Sequence, residues 1–227
     1  MAELDNRELI SRMSQKEAMQ LLETTRPFTE LMTQYKCAMM EIETKLNVLN
    51  AEFSLAYSRN PIESIKSRLK SPLSIMEKLN RKGFAVTARS IEENLTDVAG
   101  IRVICSFVED IYTLEKMLTV QDDIKVLTRK DYIAEPKPNG YRSLHLILDI
   151  PIFLTNQKKH MKVEVQFRTI AMDFWASLEH KLKYKKNIAD AEAVAIELKE
   201  CADIISAMDN KMQELHNRIQ GIKEAES

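Results

Sequence analysis

Residues 131–145 read DYIAEPKPNGYRSLH, which sets a lysine, a glycine turn, an aromatic ring, an arginine, a serine and an imidazole close together. Packing alone has little use for that collection. Lys137-Pro138-Asn139-Gly140 has the composition of a turn, because proline holds φ and Asn-Gly tolerates positive φ. Residues 141–152 alternate and then become apolar, which predicts a strand entering a core. With a repeat of two, Tyr141, Ser143 and His145 share one face, and Arg142, Leu144 and Leu146 share the other. An aromatic, a hydroxyl and an imidazole at the mouth of a strand suit a planar polar ligand.

A second alternating stretch, KVEVQFR, puts Val163, Val165 and Phe167 on a core face and Glu164, Gln166 and Arg168 on the opposite one. That polar face is either solvated or a site, and Asp97, just before the apolar run IRVICSF, adds to the case for a site. Within that run Arg102 points away from Ile101 and Val103. A carboxylate at the edge of one strand and another within a second can share Mg²⁺, which takes one or two carboxylates and fills its shell with water and phosphate oxygens. Arg68, Lys70, Lys78, Arg102, Lys137 and Arg168 surround these acids with positive charge. Phosphoryl-type transfer rests on positioning and charge neutralisation, and this mixture of cations, acids and a metal supplies both.

The elements that must position these groups follow from the periodicity. Helices are expected over 3–23 and 27–56, the second carrying Leu31, Tyr35, Met39, Ile42, Leu46, Leu49 and Phe53 at helical spacing, with Pro27 in its first turn. Asn60-Pro61 ends them, and Ser71-Pro72 and Lys82-Gly83 bracket a short helix over 72–82. Beyond residue 101 the expected order is a strand (101–107), a helix (109–118), a short strand (124–127) and a long strand (141–154). A turn at residues 156–159, a strand (162–168) and a helix (169–183) complete it. This mixture reads as α+β, a mixed β-sheet flanked by helices with helical extensions at both ends. The last segment, 190–224, is expected to be one helix. Its residues Val194, Leu198, Cys201, Ile205, Met208, Met212, Leu215, Ile219 and Ile222 form a heptad seam. Such a narrow stripe suits a partner helix, from another copy of the chain or from the N-terminal helices of the same one. The expected divisions are N-terminal helices (1–59), a central domain (60–187) and a C-terminal oligomerisation helix (188–227).

At 227 residues, 44% hydrophobic and 30% charged, the composition is globular, with no span apolar enough for a membrane and too polar a start for a signal peptide. Cys37, Cys105 and Cys201 are odd in number and lack metal-ligand spacing, so the expected compartment is the cytoplasm. The net charge of −1 hides two basic clusters. Residues 66–82 hold Lys66, Arg68, Lys70, Lys78, Arg81 and Lys82 against Glu77 alone, and Lys181, Lys183, Lys185 and Lys186 follow the only tryptophan.

Four segments, SRLKSPLSIMEKLNRKGF, ENLTDVAGIRVICSF, DYIAEPKPNGYRSLH and VEVQFRTIAMDFWASLEHKLKYK, resemble the RelA/SpoT-type alarmone synthetases, and most closely the small single-domain ones. They occur in the family's order across 62–186. The resemblance implies a nucleotidyltransferase-like fold and transfer of the β,γ-pyrophosphate of ATP to the ribose 3′-hydroxyl of GTP or GDP. The products are (p)ppGpp, the stringent-response alarmone, and AMP. By motif, Arg68 and Arg102 would sandwich the adenine, while Lys70, Ser74 and Lys78 would hold ATP phosphates. Asp97 and Glu164 would bind Mg²⁺, with Glu164 also taking the proton from the 3′-hydroxyl. Tyr141 would stack on guanine, and Lys137, Asn139, His145, Gln166 and Arg168 would bind the rest of the acceptor. The resemblance further implies a homotetramer.

Ser67 stands where the family has a glycine, and Ile65-Lys66 lacks an aromatic found in some small members; both bear on regulation more than on chemistry. With no His-Asp dipeptide and no room for a hydrolase domain, the chain is expected to synthesise without degrading. The alternative reading is a toxin-type synthetase of the same fold that modifies adenine nucleotides or tRNA 3′ ends. The Lys181–Lys186 cluster is the one feature that would serve RNA, and nothing else in the sequence supports it. Trp175 is expected in the core, and Glu179-His180 either near the acceptor site or at the surface.

Overall fold

The computed structural model describes residues 15–57, 59–183 and 191–226. Residues 3–14 of the expected first helix, and Lys185 and Lys186, fall outside them. The first described element is the helix α1 (Gln15–Tyr57), which buries Leu31, Tyr35, Ala38, Ile42, Leu46, Leu49 and Phe53 along one stripe. Spacings of three and four place them on a single face. Contrary to the expected break, α1 runs through Pro27. Proline removes one helical N–H, but Pro27 is exposed, so the lost bond lies away from the buried stripe.

Five strands follow, β1 (Ile62–Leu69), β2 (Ala99–Cys105), β3 (Lys125–Asp131), β4 (Leu144–Leu154) and β5 (Gln157–Thr169). They form one sheet in the order β1-β2-β5-β4-β3, with β2 and β5 parallel and every other pair antiparallel. The expected mixed sheet is therefore present. Helices α2 (Pro72–Arg81) and α3 (Ala88–Asn94) connect β1 to β2, and α4 (Val108–Thr119) leads to β3. The core lies on one face of the sheet, where Leu144, Leu146, Leu148, Val163, Val165 and Phe167 meet Tyr35, Ile42, Ile111 and Leu114 of α1 and α4. Burying one face of a strand sends alternate residues to the other. The opposite face holds the polar residues.

Several strand boundaries differ from expectation. Alternation suggests that β4 begins at Tyr141, but it begins at Leu144, because residues 132–143 close a loop of their own in which the Tyr132 amide donates to Ser143 O at 3.0 Å. Ser143 consequently leaves the face of Tyr141 and His145; it is fully buried and donates to Phe167 O at 2.9 Å. The turn between β4 and β5 is only Thr155-Asn156, and residues 157–159 already belong to β5. β3 also extends to Asp131, well past the short strand expected.

The chain ends in α5 (Ile170–Lys183) and α6 (Ala191–Glu226). α6 packs chiefly on α5 and α4. Leu198, Ala202, Ile205, Asp209 and Gln213 face inward, while Met208, Met212 and Ile219 of the heptad seam stay exposed. Among the described residues no helix is long and apolar enough to cross a membrane.

Candidate active site

Strand register assembles the polar face. Lys66, Arg102, Gln166 and His145 are successive partners across β1, β2, β5 and β4, and Arg68, Gly100 and Glu164 form the row beside them. Partners in register point to the same side, so four strands distant in sequence deliver their functional groups to one surface. Arg68, Lys70, Asp97, Arg102, Glu164 and Gln166 line a cleft of about 450 Å³ together with Lys66, Ser67, Gly100 and Ile101.

Lys70 leaves the end of β1, where its amide donates to Val98 O at 2.8 Å and brings it beside Asp97. Ser71 caps α2 by accepting from the Ser74 amide at 3.3 Å, with Pro72 at the first helical position, as the sequence suggests. Ser74 lies in that first turn, one turn from Lys78, whose ammonium returns to the cleft. Lys70 and Lys78 donate to the same Asp97 oxygen, Oδ2, at 2.8 and 2.5 Å. Burial pushes the Asp97 carboxyl up, but the two lysines outweigh it and hold it below the usual carboxylate range. Its other oxygen, Oδ1, is buried with no hydrogen-bond partner. Glu164 lies across the cleft. Burial pushes it up, while His145 and Gln166 pull it down to a net value below the usual range, against the nearby charge of Asp97. Gln166 Nε2 donates to it at 3.1 Å, and His145 Nδ1 lies 3.5 Å away. An orphaned carboxylate oxygen in a cleft that holds a second ionised carboxylate fits a hard divalent cation that completes its shell with phosphate and water.

The residues expected to hold an acceptor form a second lobe joined to the first at Gln166 and His145. Tyr141 Oη pairs with His145 Nε2 at 2.8 Å and accepts from Arg168 at 2.7 Å. The Lys137 ammonium sits 4.5 Å from the Tyr132 ring centre and 4.8 Å from that of Tyr141. Gly140, with φ 85°, lets the loop turn so that its amide donates to Lys137 O at 2.8 Å. Asn139 Nδ2 donates to Glu179 Oε1 at 3.1 Å, so Glu179 reaches this lobe while His180 stays exposed. Arg168 shares the face of Glu164 and Gln166 but is buried beneath Tyr141, not open to solvent. Trp175 is buried, as expected of a core residue.

Sequence reasoning missed Asp173. It stands in the first turn of α5 and accepts from Lys66 at 3.1 Å, Arg102 at 3.2 Å and Arg168 at 3.1 Å. One carboxylate thus ties a cation of the cleft, Arg102, to a cation of the second lobe, Arg168. Burial pushes Asp173 up, and the three cations bring it below the usual range. Tyr132, edge-on to both Tyr141 and His145, was missed as well. No periodic pattern marks either residue.

A sheet face carrying paired carboxylates, a ring of cations and an aromatic lobe defines a nucleotide-handling transferase. The sequence model described as "Region found in RelA / SpoT proteins" matches residues 67–189. The chain belongs to the RelA/SpoT family. It is 49% identical over 178 residues to the GTP pyrophosphokinase YwaC of Bacillus subtilis (strain 168), covering 78% of this chain and 85% of that protein. The crystal structure of small alarmone synthetase 2 from Bacillus subtilis superposes with a TM-score of 0.76 at 44% identity, covering 84% of this chain and 98% of that one. Small alarmone synthetase 1 from the same organism, bound to its product pppGpp, gives 0.77 at 35% identity, covering 86% and 99%.

Proposed function

We propose that this chain is a GTP pyrophosphokinase, moving the β,γ-pyrophosphate of ATP to the 3′-hydroxyl of GTP or GDP and releasing AMP. The observation that carries the reading is the single polar sheet face, on which a cationic cleft and a tyrosine-lined lobe meet at Gln166 and His145, beside Glu164. In this reading the cleft takes ATP. Arg68 and Arg102 flank the adenine with planar guanidinium groups, and Lys70, Ser74 and Lys78 meet the phosphates. Lys70 and Lys78 share the single charge of Asp97, which leaves net positive charge for the phosphates of ATP.

The second lobe takes the acceptor. Tyr141 offers its ring to guanine, Lys137 and Arg168 bring positive charge, and Asn139, His145 and Gln166 supply directed hydrogen bonds. Glu164, held ionised by its neighbours, accepts the 3′-hydroxyl proton as the oxygen attacks the β-phosphorus. Its low pKa makes it a weak base, so proton loss is drawn forward by formation of the P–O bond. Arg68, Lys70 and Lys78 compensate the charge gathering on the transferred group and on AMP. Asp97 and Glu164 would hold Mg²⁺, which supplies Lewis-acid neutralisation of the phosphates.

Two broader proposals accompany this. Copies of the chain pair through the exposed seam of α6, giving a homo-oligomer of the tetrameric kind. The protein works in the cytoplasm, where its nucleotide substrates are, in keeping with the free state of Cys37, Cys105 and Cys201. Separating the products of labelled ATP incubated with GTP, GDP, ATP or tRNA tests the assignment. Labelled guanosine 3′-pyrophosphate with stoichiometric AMP is expected. Label on tRNA or on an adenine nucleotide instead would overturn the acceptor.

A further inference from the structure

The loop that carries Tyr141 is backed by α6, a helix outside the sheet that carries the polar face. At Gly140 an added Cβ would overlap the Ala202 Cβ of α6 and lie 3.1 Å from Lys199 Cδ. The loop backbone therefore rests directly on the helix, at the one position where the absence of a side chain and a positive φ are both required. Two residues on, Arg142 donates to Ser206 Oγ of α6 through one guanidinium nitrogen and to Ile133 O at 3.2 Å through another. It pins both ends of the loop to α6. Tyr141 and Ile205 both pack against the buried group of Trp175, Ala176 and Ala202, and Trp175 Nε1 donates to Leu198 O at 2.9 Å, fastening α5 to the same helix. Most of residues 134–138, by contrast, face solvent, and residues 140–143 join no sheet ladder. Bonds from Asn139 to Glu179, between Tyr141 and both His145 and Arg168, and from Ser143 to Phe167 O hold the side that faces the sheet and α5, and α6 supplies the backing on the other.

We propose that α6 is a working part of the acceptor site, with Ala202 and Ser206 as positioning residues that hold the loop where Tyr141 and Lys137 can receive the guanine nucleotide. The inference rests on the reading that this loop binds the acceptor. Affinity for the acceptor, but not for ATP, then depends on how α6 docks, because Lys70, Lys78, Asp97 and Arg68 are placed by β1, α2 and the segment before β2. A displacement of the loop by a fraction of an ångström is enough to matter, since binding and catalytic geometry are steep in distance.

Calorimetric titration of the full chain with GDP and, separately, with α,β-methylene ATP tests this, together with steady-state kinetics. Ala202→Leu pushes on Gly140, and Ser206→Ala removes the partner of Arg142. Each is expected to weaken GDP binding roughly ten-fold and raise its KM in step, with kcat and the ATP-analogue affinity changed less than about two-fold. Ser206→Thr keeps the hydroxyl and should restore GDP affinity. Should Ala202→Leu fail to fold, the Ser206 pair carries the comparison alone. Unchanged GDP affinity in Ser206→Ala, or equal losses for both nucleotides, overturns the positioning role. Tyr141→Ala, run alongside, separates the two levels. If it weakens GDP while Ser206→Ala does not, only the role of α6 falls; if neither weakens GDP, the acceptor assignment falls with it.

Discussion

Glu164 and Asp173 are both carboxylates kept ionised by neighbours, yet they do opposite work. Glu164 faces the cleft, and its loss should stop chemistry without disturbing the fold. Glu164→Gln is expected to abolish AMP release while GDP still binds, measured by single-turnover assay and calorimetry. Asp173 faces three cations, and Asp173→Asn leaves them under-compensated at a cost of about 1–3 kcal/mol. Its folded pKa lies below the ordinary aspartate value of 3.8, so the stability it contributes is full above that value and vanishes as pH falls through the depressed folded pKa. The gap in urea midpoint between wild type and Asp173→Asn should therefore be wide at neutral pH and close in acid. A constant gap at every pH would assign the loss to packing instead. Tyr141→Ala removes a ring worth about 1–3 kcal/mol in base stacking, and its effect should appear in acceptor affinity more than in ATP affinity.

Among the elements, α6 carries an unusual cost. Asp209 is 8% exposed and accepts from Thr169 Oγ1 at 2.7 Å, the same hydroxyl that caps α5 by accepting from the Met172 amide at 3.1 Å. Burial raises its pKa, with Thr169 and Arg142 pulling the other way without prevailing. A carboxyl raised by folding destabilises the native state when ionised, and that penalty fades as pH drops through the folded pKa. Asp209→Asn keeps an acceptor for Thr169 and removes the charge. It is expected to raise the Tm by a few degrees at neutral pH and to bring no gain in acid. A lowered Tm at neutral pH would show that the charge is needed, through Arg142, to hold the loop. Secondary structure was readable where one pattern dominated, as in the capped α2 and the alternating β5. It misled at Pro27 and Tyr141, where the deciding contacts come from elsewhere: an exposed helix face in one case, and a loop closing on itself in the other.

For the molecule as a whole, the inward and outward stripes of α6 serve different neighbours. Ala202, Ile205 and Asp209 dock on the domain, while Met208, Met212 and Ile219, with Ile196 and Ile204 beside them, are more than half exposed. An apolar stripe of that length on a lone chain is a ready interface. Met208→Glu is expected to lower the mass seen by light scattering towards the monomer, and a wild-type protein that is already monomeric at micromolar concentration would dismiss the oligomer. On the proposed reading the same helix backs the acceptor loop, so Met208→Glu is also expected to change the KM for GDP.

The sequence by itself determined the strand faces, the capped helix that returns Lys78, and the four ordered motifs whose polar residues belong together. These are local or periodic properties, and alternation alone sends Glu164 and Gln166 away from Val163 and Val165. Register is another matter. That Lys66, Arg102, Gln166 and His145 fall in one row depends on pairing residues 36, 64 and 21 positions apart in the chain, and on a parallel β2–β5 pair that no short window encodes. Asp173 gathering cations from three strands, Ser143 turning inward, and α6 lying against Gly140 were decided by tertiary structure alone. Each exists only because a distant element fills the space beside it, and a residue's neighbours in space are not written in its neighbours along the chain.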